Sequence, residues 1–158
     1  MTRAYARAIK HSRALDHAPY GHWNTTTLVA GITSQGPIAP MLLDGPMDAL
    51  AFDAYLEHML IPALPENAIV VMDNLPAHKV QGVKEKLEKA GVQLLYLPPY
   101  SPDFNPIELM WSKVKTFLRA AKARTVDELQ LAVREALGRV TSSDAQGYFR
   151  HCYVGMIS

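Results

Sequence analysis

The chain has 158 residues, 49% of them hydrophobic, and 16 basic against 15 acidic side chains give a net charge of +1. That is enough sequence for one domain with a buried core, spanning 1–158, and too little for a multi-domain machine. A lone cysteine, Cys152, excludes an internal disulfide and a cysteine-rich zinc site, no apolar run approaches the ~18 residues of a membrane span, and the near-zero charge lends no support to nucleic-acid binding by bulk charge.

The basic start, MTRAYARAIKHSR, is followed by no apolar stretch and does not read as a secretory signal. A soluble cytoplasmic protein with no membrane partner is expected, with Cys152 as a small buried apolar residue. The net charge is a sum of blocks. Met1 to Leu15 holds Arg3, Arg7, Lys10 and Arg13 and no acid. Asp44 to Glu66 holds five acids and no Lys or Arg, and Lys113 to Arg124 holds five bases and no acid. Such blocks can build a charged face even when the total is small, although each also serves as an ordinary solvated surface.

In chain order, Thr25–Thr33 is β-branched and apolar and reads as a strand, with a turn at Ser34–Gly36 and a second strand at Ile38–Leu43 completing a hairpin. Met47–Leu60 carries Leu50, Phe52, Tyr55, Leu56, Met59 and Leu60 at helical spacing, and Pro62 and Pro65 are expected to break it. Ala68–Met72 is a short continuous apolar run, the pattern of a strand buried on both faces. Lys79–Ala90 reads as an amphipathic helix stopped by Gly91, and Val92–Leu97 as another buried strand. Pro98–Pro106 is a proline-rich loop. Helices follow at Ile107–Ala121, at Val126–Val140 with a capping box from Thr125 and Glu128, and at Ser143–Tyr153. A hairpin followed by alternating helices and strands implies an α/β domain with a mixed sheet.

Asp73 follows the run Ala68–Met72 directly. In open α/β sheets ligands bind beyond the carboxyl ends of the strands, and a carboxylate there either holds a divalent cation or caps the next turn. Downstream, Asn105 suits an N-cap and Pro106 the first helical position. Glu108 then falls in the first turn, where the helix dipole favours a negative charge. Ile107, Met110 or Trp111, Val114, Phe117 or Leu118, and Ala121 form an apolar stripe on that helix. Glu108, Ser112, Lys115, Arg119 and Lys122 share the opposite face, the layout of a metal-binding acid beside a row of phosphate contacts or of a solvated amphipathic helix. His22 and His78 have no partner at zinc-ligand spacing, and no phosphate-binding glycine loop is present.

Val71-Met72-Asp73-Asn74 with His78, followed by Leu97-Pro98-Pro99-Tyr100-Ser101-Pro102-Asp103-Phe104-Asn105-Pro106-Ile107-Glu108, closely resembles the DDE transposases of the Tc/mariner superfamily, above all the bacterial insertion-sequence branch. Thirty-four residues separate the two acids, as in that branch. The stretch Gly21-His22-Trp23 through Leu43-Asp44-Gly45-Pro46 and the tail Tyr148-Phe149-Arg150-His151 carry the likeness across nearly the whole chain.

The resemblance implies an RNase H-like fold and DNA strand cleavage and transfer in insertion-sequence transposition. In such enzymes three acids hold two Mg²⁺ (or Mn²⁺) ions about 3.5–4 Å apart for in-line attack on a phosphodiester. Asp73 matches the second acid and Glu108 the third, both catalytic and metal-binding. Lys113, Lys115, Arg119 and Lys122 are expected at DNA, with Asn74, His78 and Asn105 as active-site neighbours. The implied partners are transposon-end and target DNA, and a homo-oligomer or an upstream transposase segment. The implied location is the cytoplasm of a bacterium, at the nucleoid.

The family's first acid lies on a first, central strand that precedes the point where Met1-Thr2-Arg3 aligns. The expectation is therefore a catalytic domain lacking that strand and its aspartate, with strand edges left unpaired in the 3-2-1-4-5 order, and inactive alone. The alternative expectation is a non-catalytic transposase remnant that binds DNA or a partner.

Overall fold

The structure, a computed structural model, describes residues 9–10, 25–73, 82–99 and 101–153. The expectations placed on His22, Asn74, His78 and Tyr100 lie outside the described residues. Strands β1 (Thr26–Thr33) and β2 (Gly36–Asp44) form the expected antiparallel hairpin. The register slips between Val29 and Gly31. Ala39 takes up the extra residue in the left-handed region at φ 47°, an uncommon conformation for a side chain with a Cβ.

The hairpin lies between two cores because its side chains alternate. Leu28, Ala30, Ile32 and Leu42 meet one cluster, built on Met110, Val114, Leu118, Val133 and Leu137. Val29, Ile38, Ala39 and Met41 meet the other, built on Phe52, Tyr55, Leu56, Val83 and Leu87. A period of two along each strand is what allows one hairpin to serve both sides.

Helix α1 (Ala49–Tyr55) starts on Asp48, whose side chain accepts from the Ala51 N–H at 2.8 Å. Pro62 does not end the helical run there. The chain widens into a π-helical turn at Leu56–Leu60, in which the Ile61 N–H reaches the Leu56 carbonyl, and continues as the short α2 (Ile61–Ala63). A wider turn accommodates a residue that has no N–H to give. The expected apolar face is also narrower than the spacing suggests. Phe52, Tyr55, Leu56 and Leu60 are buried, whereas Leu50 is 78% exposed.

Strands β3 (Ile69–Met72) and β4 (Gln93–Tyr96) pair in parallel through four residues each. Between them α3 (Val83–Lys89) covers one face of the pair. It ends as the glycine predicts: Gly91, at φ 72°, donates to the Glu88 carbonyl at 3.0 Å, and Val92 donates to Leu87 at 2.9 Å, a Schellman closure. Lys86 reaches across to Asp53 at 2.6 Å and Glu57 at 2.7 Å, fixing α3 to α1 and the π turn.

Two expectations about these strands are corrected. The antiparallel and parallel components are both present, but among the described residues they form two separate two-stranded sheets. Nor is either of the apolar runs buried on both faces. Val70, Met72 and Leu94 turn into the core, while Ile69, Val71 and Leu95 are 58%, 42% and 48% exposed. A run of apolar residues signals that both faces suit burial, but the neighbouring elements decide whether both are covered.

A 3₁₀ turn (Pro102–Phe104) leads into α4 (Pro106–Ala121), followed by α5 (Val126–Gly138) and α6 (Ser142–Tyr153). The Thr125–Glu128 capping box forms as expected. Cys152 is buried, and burial pushes its thiol up. No helix among the described residues is long and apolar enough to cross a membrane.

The buried hydroxyl of Tyr55 has no hydrogen-bond partner among the described residues, and burial pushes its phenol up to about 12. A buried donor left unsatisfied destabilises the fold. Replacing Tyr55 with Phe keeps the ring contact with Phe52, at 6.2 Å between centroids. The variant is therefore expected to unfold at higher denaturant, by about 1 kcal/mol. A lower midpoint would show that the hydroxyl is satisfied.

Candidate functional site

Asp73 stands one residue beyond β3, partly buried. Because β3 and β4 are parallel, both end at the same edge of their sheet. The join is direct: the Leu97 N–H donates to the Met72 carbonyl at 2.8 Å. The start of the proline loop is thereby tied to the residue that precedes Asp73.

The loop then delivers Glu108. Prolines 98, 99, 102 and 106 restrict φ repeatedly along this stretch. Phe104 donates to the Ser101 carbonyl and Asn105 to that of Pro102, closing the 3₁₀ turn. Asn105, expected beside the active site, serves as the N-cap of α4. Its side chain accepts from the Ile107 N–H at 3.4 Å, and Pro106 occupies the first turn, buried. Glu108 lies in that first turn and is exposed. The two acids are thus held by two devices, Asp73 just past a strand end and Glu108 in a capped helix start.

The chemistry of the pair suits a hard divalent cation, because carboxylate oxygens are the ligands that Mg²⁺ and Mn²⁺ prefer. The number of donors is smaller than a two-metal centre requires. Among the described residues no group of three His, Cys, Asp or Glu could hold a metal ion.

The four cations expected at DNA, the row Lys115, Arg119 and Lys122 together with Lys113, have different surroundings on α4. Lys115 and Arg119 are exposed, on the solvent side of a helix whose buried face is Pro106, Met110, Val114 and Leu118. Lys122 is the C-cap, in the left-handed region at φ 51°, so the helical spacing that aligned it with Arg119 stops one residue short. Lys113 is engaged internally: its ammonium lies 2.7 Å from the Asp144 carboxylate. Asp144 also accepts from the Thr141 N–H and hydroxyl, each at 2.8 Å. This cluster ties α6 to α4 and so supports the helix that presents Glu108. The pattern Thr141-Ser142-Ser143-Asp144 is a legible capping signal, but its lysine lies 31 residues away and nothing local announces it.

Comparison with solved structures places this architecture. The strand transfer complex of Mos1 matches 96% of this chain and 47% of its own, with a TM-score of 0.78 at 19% identity. The catalytic domain of Mos1 mariner transposase matches 80% of this chain and 68% of its own, with a TM-score of 0.71 at 19% identity. The fold is the RNase H-like fold of a transposase catalytic domain. The family described as DDE superfamily endonuclease matches residues 1–130, and the chain belongs to it. The Tcb2 transposase of Caenorhabditis briggsae is 29% identical over 112 residues, 68% of this chain and 41% of that protein. The Tcb1 transposase of the same species is 31% identical over 100 residues, 61% of this chain and 36% of that protein. The chain thus spans less than half the length of the curated relatives it matches.

The ion pair at Asp144 gives a pH signature. Lys113 first, then the Thr141 backbone and hydroxyl, hold the carboxyl down to about 2 from an ordinary 3.8. With the folded value below the unfolded one, the contribution to stability is complete above pH 3.8 and is lost as pH falls toward 2. Thermal unfolding across that window should therefore be steeper in pH for the natural chain than for Asp144→Asn. Equal slopes would show that the pair does not hold α6 to α4.

Proposed function

We propose that this chain forms the catalytic part of an insertion-sequence transposase that cleaves and joins DNA strands with divalent metal ions. One observation supports this reading above the others. In a DDE-family chain, Asp73 at the end of β3 is linked by the Leu97–Met72 hydrogen bond to the loop that carries Glu108. Asp73 and Glu108 would hold the Mg²⁺ or Mn²⁺. When bound, such ions activate a water or a DNA 3′-hydroxyl and stabilise charge on the phosphate. Asp73 contributes a ligand fixed by the strand, and Glu108 one fixed by the capped first turn of α4. The stiff loop limits how far the two can drift apart. Lys115 and Arg119, further along α4, would contact phosphates of transposon-end or target DNA. Lys113 would act indirectly, by holding α6 against that helix. The setting for this activity is the bacterial cytoplasm, at the nucleoid.

The resemblance assigns three acids, and this sequence has counterparts of two. We therefore infer that the 158-residue chain binds metal weakly and completes strand transfer only with a segment that supplies the first acid, in the same chain or another. Mn²⁺ binding followed by calorimetry should be weakened about tenfold or more by Asp73→Ala or by Glu108→Ala. Incubated with transposon-end DNA and Mg²⁺, the chain alone should give no strand transfer. Robust transfer abolished by Asp73→Ala would overturn the inference of inactivity, and unchanged Mn²⁺ binding in both variants would overturn the metal assignment.

A second reading, DNA binding without catalysis, rests on the exposure of Lys115 and Arg119. Each phosphate contact steepens the plot of log affinity against log salt by about 0.9. Lys115→Ala with Arg119→Ala should therefore reduce that slope by about 2. An unchanged slope would remove this helix from the DNA interface.

A further inference from the structure

Helix α5 buries one face and carries a pattern on the other. Ala132, Val133, Ala136 and Leu137 turn inward. Asp127, Leu131, Arg134 and Gly138 follow the spacing i, i+4, i+7, i+11 and so share the opposite face, where all four are exposed. Leu131 is 68% exposed. A single exposed leucine is ordinary, but this one lies between two unlike charges. Asp127 stands one turn before it and Arg134 one turn after. Among the described residues neither has an ion-pair partner, in contrast to Glu135 and Arg139 nearby, which are 2.7 Å apart.

The order acid, leucine, base is self-complementary. Two copies of this helix laid antiparallel, with a twofold axis between Gln130 and Leu131, bring Asp127 of each copy opposite Arg134 of the other. The two Leu131 side chains then meet between the two charge pairs. Laid parallel, the same face would set acid against acid and base against base. Gly138 ends the face with no side chain, and a Cβ there would meet nothing within 4 Å, so a second helix has room to approach. Alongside, Val133 and Leu137 with Leu28, Pro40 and Leu42 of the hairpin line an apolar cleft bordered by Arg134. The charge pattern also selects the class of occupant. One acid and one base make this face neutral, which gives DNA no electrostatic attraction, unlike the exposed Lys115 and Arg119 of α4.

We propose that the exposed face of α5 is an interface between two copies of this chain, packed antiparallel through Leu131 with reciprocal Asp127–Arg134 pairs. The pairs set orientation and register more than they add affinity. One helix face is smaller than the ~1,200 Å² of standard stable interfaces, so the association is weak and reversible. It goes beyond the proposed reaction and uses neither Asp73 nor Glu108. Its failure would therefore leave the metal assignment to the Mn²⁺ measurement.

The test is sedimentation equilibrium over a wide range of protein concentration, with charge reversals read singly and together. The natural chain should form a reversible dimer. Asp127→Arg places bases opposite bases, and Arg134→Asp places acids opposite acids. Each variant alone should dimerise about tenfold more weakly or worse. Mixed in equal amounts, the two variants should associate with each other, because one carries both bases and the other both acids. A chain carrying both reversals should recover self-association, since each pair is only inverted. The mixture and the double reversal keep the test decisive even if Asp127→Arg weakens the start of the helix. Leu131→Ser should weaken the dimer while leaving the helical circular dichroism unchanged, because the side chain is exposed.

Three results would overturn the proposal. A natural chain that stays monomeric at the highest concentration would remove the interface. A dimer indifferent to both single reversals would have its contact elsewhere. Loss in both single variants with no recovery in their mixture would mean that the reversals act on the helix itself and not across an antiparallel contact.

Discussion

The parallel pairing of Ile69–Met72 with Gln93–Tyr96 is the constraint on which the position of Asp73 depends. Parallel strands end together, so Asp73 and the start of the proline loop leave the sheet at one edge, joined by the Leu97–Met72 hydrogen bond. A shift of one residue in that register would put Met72 on the exposed face and exchange its place in the core for Val71. The loop prolines, the Asn105 cap and the buried Pro106 all act downstream of this register. They convert the position of a strand end into the position of a helix start.

The same pairing accounts for the weak point of the fold. A two-stranded parallel unit has two edges and two faces, and the described chain covers only part of them. Val83 and Leu87 of α3, with Leu56, cover the face that carries Val70, Met72 and Leu94. Helices α4 and α5 pack instead on the β1–β2 hairpin, through Leu28, Ala30 and Ile32. Ile69 and Val71, on the opposite face of β3, are exposed.

Support for α4 comes from farther along the chain. The Lys113–Asp144 pair and the Thr141 cap hold α6 in place, and Phe117 lies under the Arg139 guanidinium, 4.4 Å from the ring centroid. These contacts orient the helix without touching either acid. A chain of the DDE family thus presents Glu108 from a braced helix and Asp73 from an incompletely covered strand.

Much of this was legible in order along the sequence. β-branched apolar runs flanking a turn located the hairpin, helical spacing located α4, and local chemistry located the Thr125 capping box, the Asn105–Pro106 start and the Gly91 stop. Asp73 and Glu108 were legible as strand-end and helix-start acids, and the long proline motif gave the family. Local signals suffice for these because capping, turn formation and proline restriction act within a few residues. Other features depended on partners distant in the chain. Whether Ile69, Val71 and Leu95 are covered, whether Leu50 joins the core, whether Lys113 faces DNA or Asp144, and how the chain passes Pro62 all depend on what packs nearby. Burial and ion pairing are properties of neighbours in space. The sequence by itself determined which residues could be buried or charged at these positions, and only the tertiary structure decided which of them were.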